Sequence, residues 1–356
     1  MNREYKYDMV VYIGRFQPFH VAHEETIRRA SYLAPNVLVL VGSCNSPRTI
    51  RNPFTFDERK EFIQANTHVL NLMVDGIPDY VYDDNAWITD VGETVADYAE
   101  GVDAKNIAVI GHDKDHSSFY LNYFPQWKFE SMPQFPDHGD SIDATKIRQL
   151  LFSEDYEFTK GVLTSNVYDF LTRDYLGTGF LNSTVFEALK EEWKFIVDYK
   201  KQYAGLPYPP IFVTADPVVI QSGHILLIER GGYPGKGLWA MPGGHINPTE
   251  RVRAASVREL REETGLKVPA KVLNGSIDAY EMFDHPDRSS RGRTITHTYR
   301  FNLDPSQPLP RVRGQDDAAK AEWVSFADFE GMESVMFEDH FYIIKAMLAM
   351  PAGQVR

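Results

Sequence analysis

Residues 9–23 read MVVYIGRFQPFHVAH, and the first half of the chain folds around this stretch. Five apolar, β-favouring residues end at Gly14, a polar loop follows, and residues 21–31 carry a helical pattern. A continuous apolar run closed by glycine predicts a strand covered on both faces, as in parallel sheets with helices above and below. The pattern recurs. The run VLVLV at 37–41 stops at Gly42, a charged helical stretch covers 57–65, and IAVI at 107–110 stops at Gly111. Three strands that end at glycine and then turn polar mark the edge where open α/β sheets take their ligands.

The pattern changes near residue 205. Residues 183–201 read as a helix with Phe186, Leu189, Trp193 and Phe195 among charged positions. Gly205, Pro207, Pro209 and Pro210 then interrupt regular structure. Beyond them lie strand candidates at 211–213, 225–228, 294–301 and 321–324, one strongly marked helix before Gly265, and a terminal helix at 333–350. The expected organisation is a first α/β domain over 1–182, a helix and linker over 183–206, and a mixed α/β/α domain over 207–350. A length of 356 residues suits two domains.

Composition narrows the function classes. With 37 Lys plus Arg against 50 Asp plus Glu, the formal charge is -13, which argues against a general nucleic-acid coat. A local basic cluster or a carboxylate-held cation still receives phosphate on such a protein. Cys44 is the single cysteine, so no internal disulfide is expected. The first twenty residues hold no uninterrupted apolar segment, and the longest apolar runs are strand length. These features lead to the expectation of a soluble, cytoplasmic protein with no membrane or nucleic-acid partner; a homo-oligomer is compatible with them.

The loop after the first strand carries chemistry. In GRFQPFHVAH (14–23), Gly14 permits close approach of backbone to ligand, and His20 and His23 stand three residues apart at a helix start. Helix-start amides already favour anions, and two imidazoles beside Arg15 suit a polyphosphate. An isolated H-x-x-H pair more often caps or packs a helix, and two histidines alone are too few for zinc.

The surrounding residues change that balance. The stretch resembles the signature of the nucleotidylyltransferase superfamily, usually H-x-G-H, and more narrowly the archaeal-type nicotinamide-mononucleotide (NMN) adenylyltransferases. The likeness continues in NPFTFDER (52–59), DNAW (84–87), GHDKD (111–115) and DATKIR (143–148). It departs at Ala22, where the family has glycine, and at Asp143, where serine is frequent. The resemblance implies a Rossmann-like domain. It also implies that His20 and His23 contact ATP phosphates, that Arg15 neutralises phosphate charge, and that Thr145 and Arg148 complete the triphosphate site. Gly14, Phe16, Gly111 and Asp113 fall in its nucleotide-binding segments, and Trp87 with Asn85 in its nicotinamide pocket.

The second domain carries GHINPTERVRAASVRELREETGL at 244–266. On a helix, Glu259 lies one turn from Glu262 and Glu263. Carboxylates so close repel unless a cation sits among them, and hard oxygen donors suit Mg²⁺ or Mn²⁺. A generic Glu-rich helix is more often a solvated surface helix. The full spacing, however, matches the Nudix box G-x5-E-x7-R-E-U-x-E-E-x-G-U, U being aliphatic, at Gly244, Glu250, Arg258, Glu259, Glu262, Glu263 and Gly265. The resemblance to Nudix hydrolases implies an α/β/α sandwich in which Glu259, Glu262 and Glu263 hold metal and Arg258 orients a neighbouring glutamate. Glu281 and Asp317 are candidates for a general base on later segments. Trp239, Tyr280 and His297 are candidates for a nucleoside pocket or for plain packing.

Together the resemblances imply a bifunctional enzyme of NAD metabolism. One domain transfers adenylyl from ATP to NMN, giving NAD and pyrophosphate; the other hydrolyses ADP-ribose to AMP and ribose 5-phosphate with Mg²⁺ or Mn²⁺. Nicotinic acid mononucleotide as acceptor, another nucleoside diphosphate derivative as Nudix substrate, and a metabolite sensor with one inactive domain stand as alternatives.

Overall fold

The apolar runs of the first half lie side by side. The computed structural model describes residues 4–111, 123–132, 143–156, 159, 161–173 and 179–353. Elements follow in the order β1 (Met9–Gly14), α1 (Val21–Leu33), β2 (Asn36–Gly42), α2 (Phe56–Asn66), β3 (Leu72–Ile77), α3 (Asp84–Gly101), β4 (Ile107–Gly111) and β5 (Lys128–Ser131). Then come α4 (Ala144–Phe152), α5 (Ser165–Thr172) and α6 (Thr184–Lys201). All five strands are parallel, in the spatial order β3-β2-β1-β4-β5. The chain steps outward from β1 to β3, then crosses back to β4 on the other side of β1. The switch point of this sheet therefore lies between the carboxyl ends of β1 and β4, where ligands bind in such folds.

Alternation along β1 shows how the sheet is covered. Met9, Val11 and Ile13 enter a buried cluster with Val91, Val95 and Ala99 of α3. Tyr12 points the other way and meets His23 of α1 at 6.3 Å between rings. Helices thus sandwich the strands, the α/β layering expected from the sequence. Two strands escaped the apolar-run criterion for clear reasons. In β3, Asp75 and Gly76 break the run, and β5 is a short edge strand whose residues are mostly exposed.

Contacts divide the chain into two units, Met1–Lys190 and Glu191–Arg356, within α6. The second unit contains β6 (Phe212–Ala215), β7 (Val218–Gln221), β8 (His224–Arg230), β9 (Trp239–Ala240), β10 (Gly244–His245), α7 (Val252–Thr264) and α8 (Ala270–Gly275). It continues through β11 (Ile277–Phe283), β12 (Thr294–Asn302), β13 (Ala318–Ser325), α9 (Phe326–Phe329) and α10 (His340–Ala349). The mixed sheet centres on β12, which pairs antiparallel with β11 on one edge. Its other edge pairs parallel with β6 and then β7, which run end to end around Asp216 and Pro217.

Neighbouring residues of β12 point to opposite faces. Phe301 packs with Val257 and Leu260 of α7, whereas Arg300 donates to the carbonyls of Met347 and Met350 at the end of α10. The result is an α/β/α sandwich, as the sequence predicts. The terminal helix is shorter than its apolar pattern over 333–350. The Phe337 N–H donates instead to Trp239 O at 2.7 Å, and Glu338 takes a left-handed φ of 46°, so continuous helix begins at His340. Among the described residues, no helix is long and apolar enough to cross a membrane.

Leu260 is fully buried against the sheet, so Leu260→Ala is expected to cost about 2–5 kcal/mol in denaturant unfolding of this unit. Leu70→Ala, at a fully exposed position, is expected to stay within about 0.5 kcal/mol of wild type.

Candidate active sites

At the switch point of the first sheet, the loop after β1 is built on buried donors. Phe16 is buried with φ 54°, and its ring lies over Gly14, where a Cβ would sit 2.9 Å away. Gln17 clasps Phe54 in both directions: its Nε2 donates to Phe54 O at 2.8 Å, and its Oε1 accepts from the Phe54 N–H at 3.0 Å. Arg59, 1% exposed, donates to four carbonyls: Arg15 at 2.8 Å, Gly42 at 2.7 Å, Ser43 at 2.9 Å and Thr55 at 3.1 Å. It therefore ties the exits of β1 and β2 together from beneath. Burial lowers its guanidinium to about 10, which still leaves it charged at neutral pH.

The two histidines are brought together as their spacing implies. Their rings stack with centroids 3.6 Å apart, and His23 Nδ1 accepts the His20 backbone N–H at 3.3 Å. That bond leaves Nε2 of a neutral His23 as the hydrogen-bearing nitrogen. Both stand at the first turn of α1, with buried Ala22 between them. Arg148 joins from α4, donating to Gln17 O at 2.6 Å and to Thr145 Oγ1 at 3.1 Å. Asp143 caps that helix by accepting the Thr145 N–H at 2.8 Å, the same local work a serine does there. Burial, then the charge of Arg15, lowers Arg148 to about 10; Asp143 opposes this and Arg51 adds to it. Arg15 and Arg51 thus lie near enough to Arg148 to act on its charge, and Arg148 is bonded to the loop that leads into the two histidines at the helix start. Positive charge beside helix-start amides suits phosphate oxygens.

Sequence reasoning missed Arg51 and gave Arg59 no task. The signal was adjacency to NPFTFDER, the segment whose Phe54 the loop clasps. Gly111 ends β4 beside the switch point. Trp87 is half-buried on α3, packed in the core cluster with Phe124 at 5.9 Å, and Asn85 is exposed in the same first turn. Asp113 lies outside the described residues.

The box glutamates of the second unit surround one arginine. Arg258 reaches Glu250, Glu259 at 2.7 Å, Glu262 at 2.9 Å and the carbonyl of His245 at 3.2 Å. Its hydrogen bonds hold the Glu250 carboxyl near 2. Glu263 sits deeper and accepts the Gly243 N–H at 2.8 Å. Burial pushes its carboxyl up to about 8, against the Gly243 bond, and the charge of Glu259 adds to the rise. At Gly244 a Cβ would lie 2.7 Å from Glu259 Oε1, so a side chain there would displace that carboxylate. Gly265 ends α7 in the left-handed conformation, φ 60°.

Two buried, mutually repelling carboxylates with a third one turn away suit a hard divalent cation in donor type and charge. Among the described residues, no three carboxylate, imidazole or thiol side chains stand close enough to chelate one ion in the present rotamers. Arg258 spans Glu259 and Glu262 instead. Tyr280 and His297 meet, with the phenol oxygen 2.7 Å from Nδ1. Trp239 lies under the Lys320 ammonium at 5.0 Å. Glu281 is exposed and accepts the N–H of Met282, and Asp317 is exposed with its carbonyl taken by Gly231.

Two family models match the chain: a cytidylyltransferase-like domain over residues 11–120 and a NUDIX domain over 212–347. A nicotinamide/nicotinic acid mononucleotide adenylyltransferase of Acinetobacter baylyi is 32% identical over 198 residues, which is 53% of this chain and 95% of that protein. An ADP-ribose pyrophosphatase of Methanocaldococcus jannaschii is 34% identical over 153 residues, 43% of this chain and 81% of that protein. A crystal structure of a bifunctional NMN adenylyltransferase/ADP ribose pyrophosphatase from Francisella tularensis, complexed with AMP and a Mn ion, matches with a TM-score of 0.85 at 32% identity. It covers 96% of this chain and 98% of that one. The chain belongs to the bifunctional NMN adenylyltransferase/ADP-ribose pyrophosphatase family. Its first unit is the nucleotidyltransferase domain and its second the Nudix domain.

Two measurements probe these sites. Arg59→Lys keeps the charge but loses the guanidinium fork, so it is expected to lower stability by at least about 1.5 kcal/mol and to reduce nucleotidyltransferase turnover. Wild-type unfolding temperature and activity in this variant would contradict the clamp. In the Nudix domain, His340 is buried and its imidazole is pushed down to about 4. Protonation from the unfolded value of 6.5 is thus disfavoured by on the order of 3 kcal/mol in the folded state. Stability contributed by neutral His340 is complete above pH 6.5 and drains away as pH falls through 4. The difference in unfolding free energy between wild type and His340→Asn is expected to change over that window and to be flat above it.

Proposed function

We propose that residues 1–182 transfer adenylyl from ATP to NMN and that residues 207–350 hydrolyse ADP-ribose, with 183–206 joining them. The observation that carries the first half is the loop after β1 at the sheet's switch point: it leads into the stacked His20–His23 pair, and Arg148, with Arg15 and Arg51 near enough to act on its charge, donates to Gln17 O within it. In the reaction an NMN phosphate oxygen attacks the α-phosphorus of ATP, the bond to the bridging oxygen breaks, and pyrophosphate leaves. The attacking phosphate is already anionic, so the site needs alignment and charge neutralisation rather than a base. His20, His23, Arg15 and Arg148 do this, with Thr145 and the glycine-bounded backbone of Gly14 and Gly111 framing the nucleotide. Phe16 fixes the loop. Trp87 and Asn85 serve the nicotinamide side, and Asp113 is a candidate to bind a ribose hydroxyl. Nicotinic acid mononucleotide is a second acceptor to assay, because the Acinetobacter baylyi relative is named for both mononucleotides.

In the Nudix domain Glu259, Glu262 and Glu263 are the residues to hold Mg²⁺ or Mn²⁺, and Glu262, half exposed, joins by turning away from Arg258. A bound divalent ion supplies neutralisation of the diphosphate and an acidified water. Arg258 and Glu250 brace Glu259, and the turn at Gly243 and Gly244 brings backbone against Glu259 and Glu263. The products are AMP and ribose 5-phosphate. The partners are small nucleotides, in a soluble cytoplasmic protein without nucleic-acid or membrane contacts.

Paired variants test the division of labour. His23→Ala is expected to lower NAD formation by about a hundredfold or more and leave ADP-ribose cleavage near wild type. Glu263→Gln is expected to do the opposite, by a similar factor. Equal loss of both activities in either folded variant would refute two separate sites. Chelation of divalent ions is expected to stop ADP-ribose cleavage, with recovery on adding Mg²⁺ or Mn²⁺; cleavage that survives chelation would count against the metal reading.

A further inference from the structure

The turn that carries Gly243 is gripped by residues other than the box glutamates. Asp216, 6% exposed, occupies the break between β6 and β7, and its backbone N–H donates to His297 O at 3.2 Å. Its carboxylate accepts from the hydroxyls of Thr214 and Thr296, and Arg288 Nη2 lies 4.0 Å away. Arg288 is in turn locked to Asp339 by two hydrogen bonds, 2.9 and 3.1 Å, with both side chains buried. The next residue, His340, accepts the Met241 N–H on Nδ1 at 3.1 Å.

The geometry at the turn is tight. Gly243 has φ 152°, and a Cβ there would lie 2.2 Å from Asp216 Oδ1 and 2.7 Å from Ala215 O. The Gly243 backbone therefore rests directly on the Asp216 carboxylate while its N–H holds Glu263. His340 fixes the entry of the turn, and Asp216 fixes its height above the sheet. The Arg288–Asp339 pair joins those two supports through buried charge.

We propose that Asp216 and His340 are positioning residues of the hydrolase site, acting through the 241–244 turn to set Glu263 for metal binding. Neither belongs to the Nudix box, and neither touches the box glutamates through any hydrogen bond described above. The inference rests on the hydrolase reading, and the two fail separately. A wild-type chain inert toward ADP-ribose refutes that reading, whereas an active wild type with indifferent variants refutes this one.

The test compares shape-breaking with shape-keeping substitutions in the full chain. Asp216→Ala removes the wall under Gly243, and Asp216→Asn keeps it. His340→Leu removes the acceptor for Met241, and His340→Asn restores an oxygen near the position of Nδ1. The Ala and Leu variants are expected to lose about tenfold or more in kcat for ADP-ribose, with KM within about twofold, and to need about tenfold more Mn²⁺ for half-saturation. Mn²⁺ binding by calorimetry without substrate is expected to weaken in parallel. The Asn variants are expected to recover most of both. NAD formation by the first domain serves as an internal measure of intact protein. Folded Ala and Leu variants with kcat and Mn²⁺ affinity within twofold of wild type would overturn the proposal, as would Asn variants as impaired as their partners. If Asp216→Ala does not fold, the His340 pair decides alone: Leu no worse than Asn overturns it.

Discussion

Both domains depend on one kind of constraint: a buried ionisable side chain that ties down the backbone where a strand ends. In the nucleotidyltransferase domain, Arg59 gathers the carbonyls of Arg15, Gly42, Ser43 and Thr55. The exits of β1 and β2 would otherwise be two independent loops. In the Nudix domain, Glu263 accepts the Gly243 N–H while Asp216 supports the same glycine from behind. Backbone donors and acceptors buried near a strand end need partners, and here the partners are ionisable side chains. Local rigidity and functional electrostatics thus come from the same residues.

The two sites handle anionic substrates by opposite routes. The first presents positive charge directly: Arg148, with Arg15 and Arg51 near enough to act on it, holds the loop that leads to the helix start at His20 and His23. Burial, then the charge of Arg15, lowers Arg148 only to about 10, so its guanidinium stays charged at neutral pH. The second presents carboxylates and needs an intervening cation before a diphosphate can approach. Arg258 already spans Glu250, Glu259 and Glu262, a bracket that keeps like charges together on one helix. An overall charge of -13 is therefore no obstacle to binding nucleotides.

Much of this was readable from local pattern. Continuous apolar runs closed by glycine located β1, β2 and β4, and the box spacing placed Glu259, Glu262 and Glu263 on α7. Legibility failed where tertiary context replaced local pattern. The strand β3 contains Asp75 and Gly76, and β5 is an edge strand without an apolar run. The terminal helix begins late because Phe337 bonds across to Trp239. Asp216 falls outside the strand candidate at 211–213 and His340 inside the helical pattern at 333–350; only the fold sets them around the 241–244 turn. Trp87 illustrates the converse, because it also packs against the core near Phe124.

One chain performs two unlike phosphorus reactions at two sites, and phosphorus NMR on a single wild-type preparation checks both. With Mg²⁺, ATP and NMN, pyrophosphate and the NAD diphosphate signal are expected to grow. With Mg²⁺ and ADP-ribose, the diphosphate signal is expected to disappear as two phosphomonoesters, AMP and ribose 5-phosphate, form. A folded chain that leaves either mixture unchanged would contradict the assignment of two reactions.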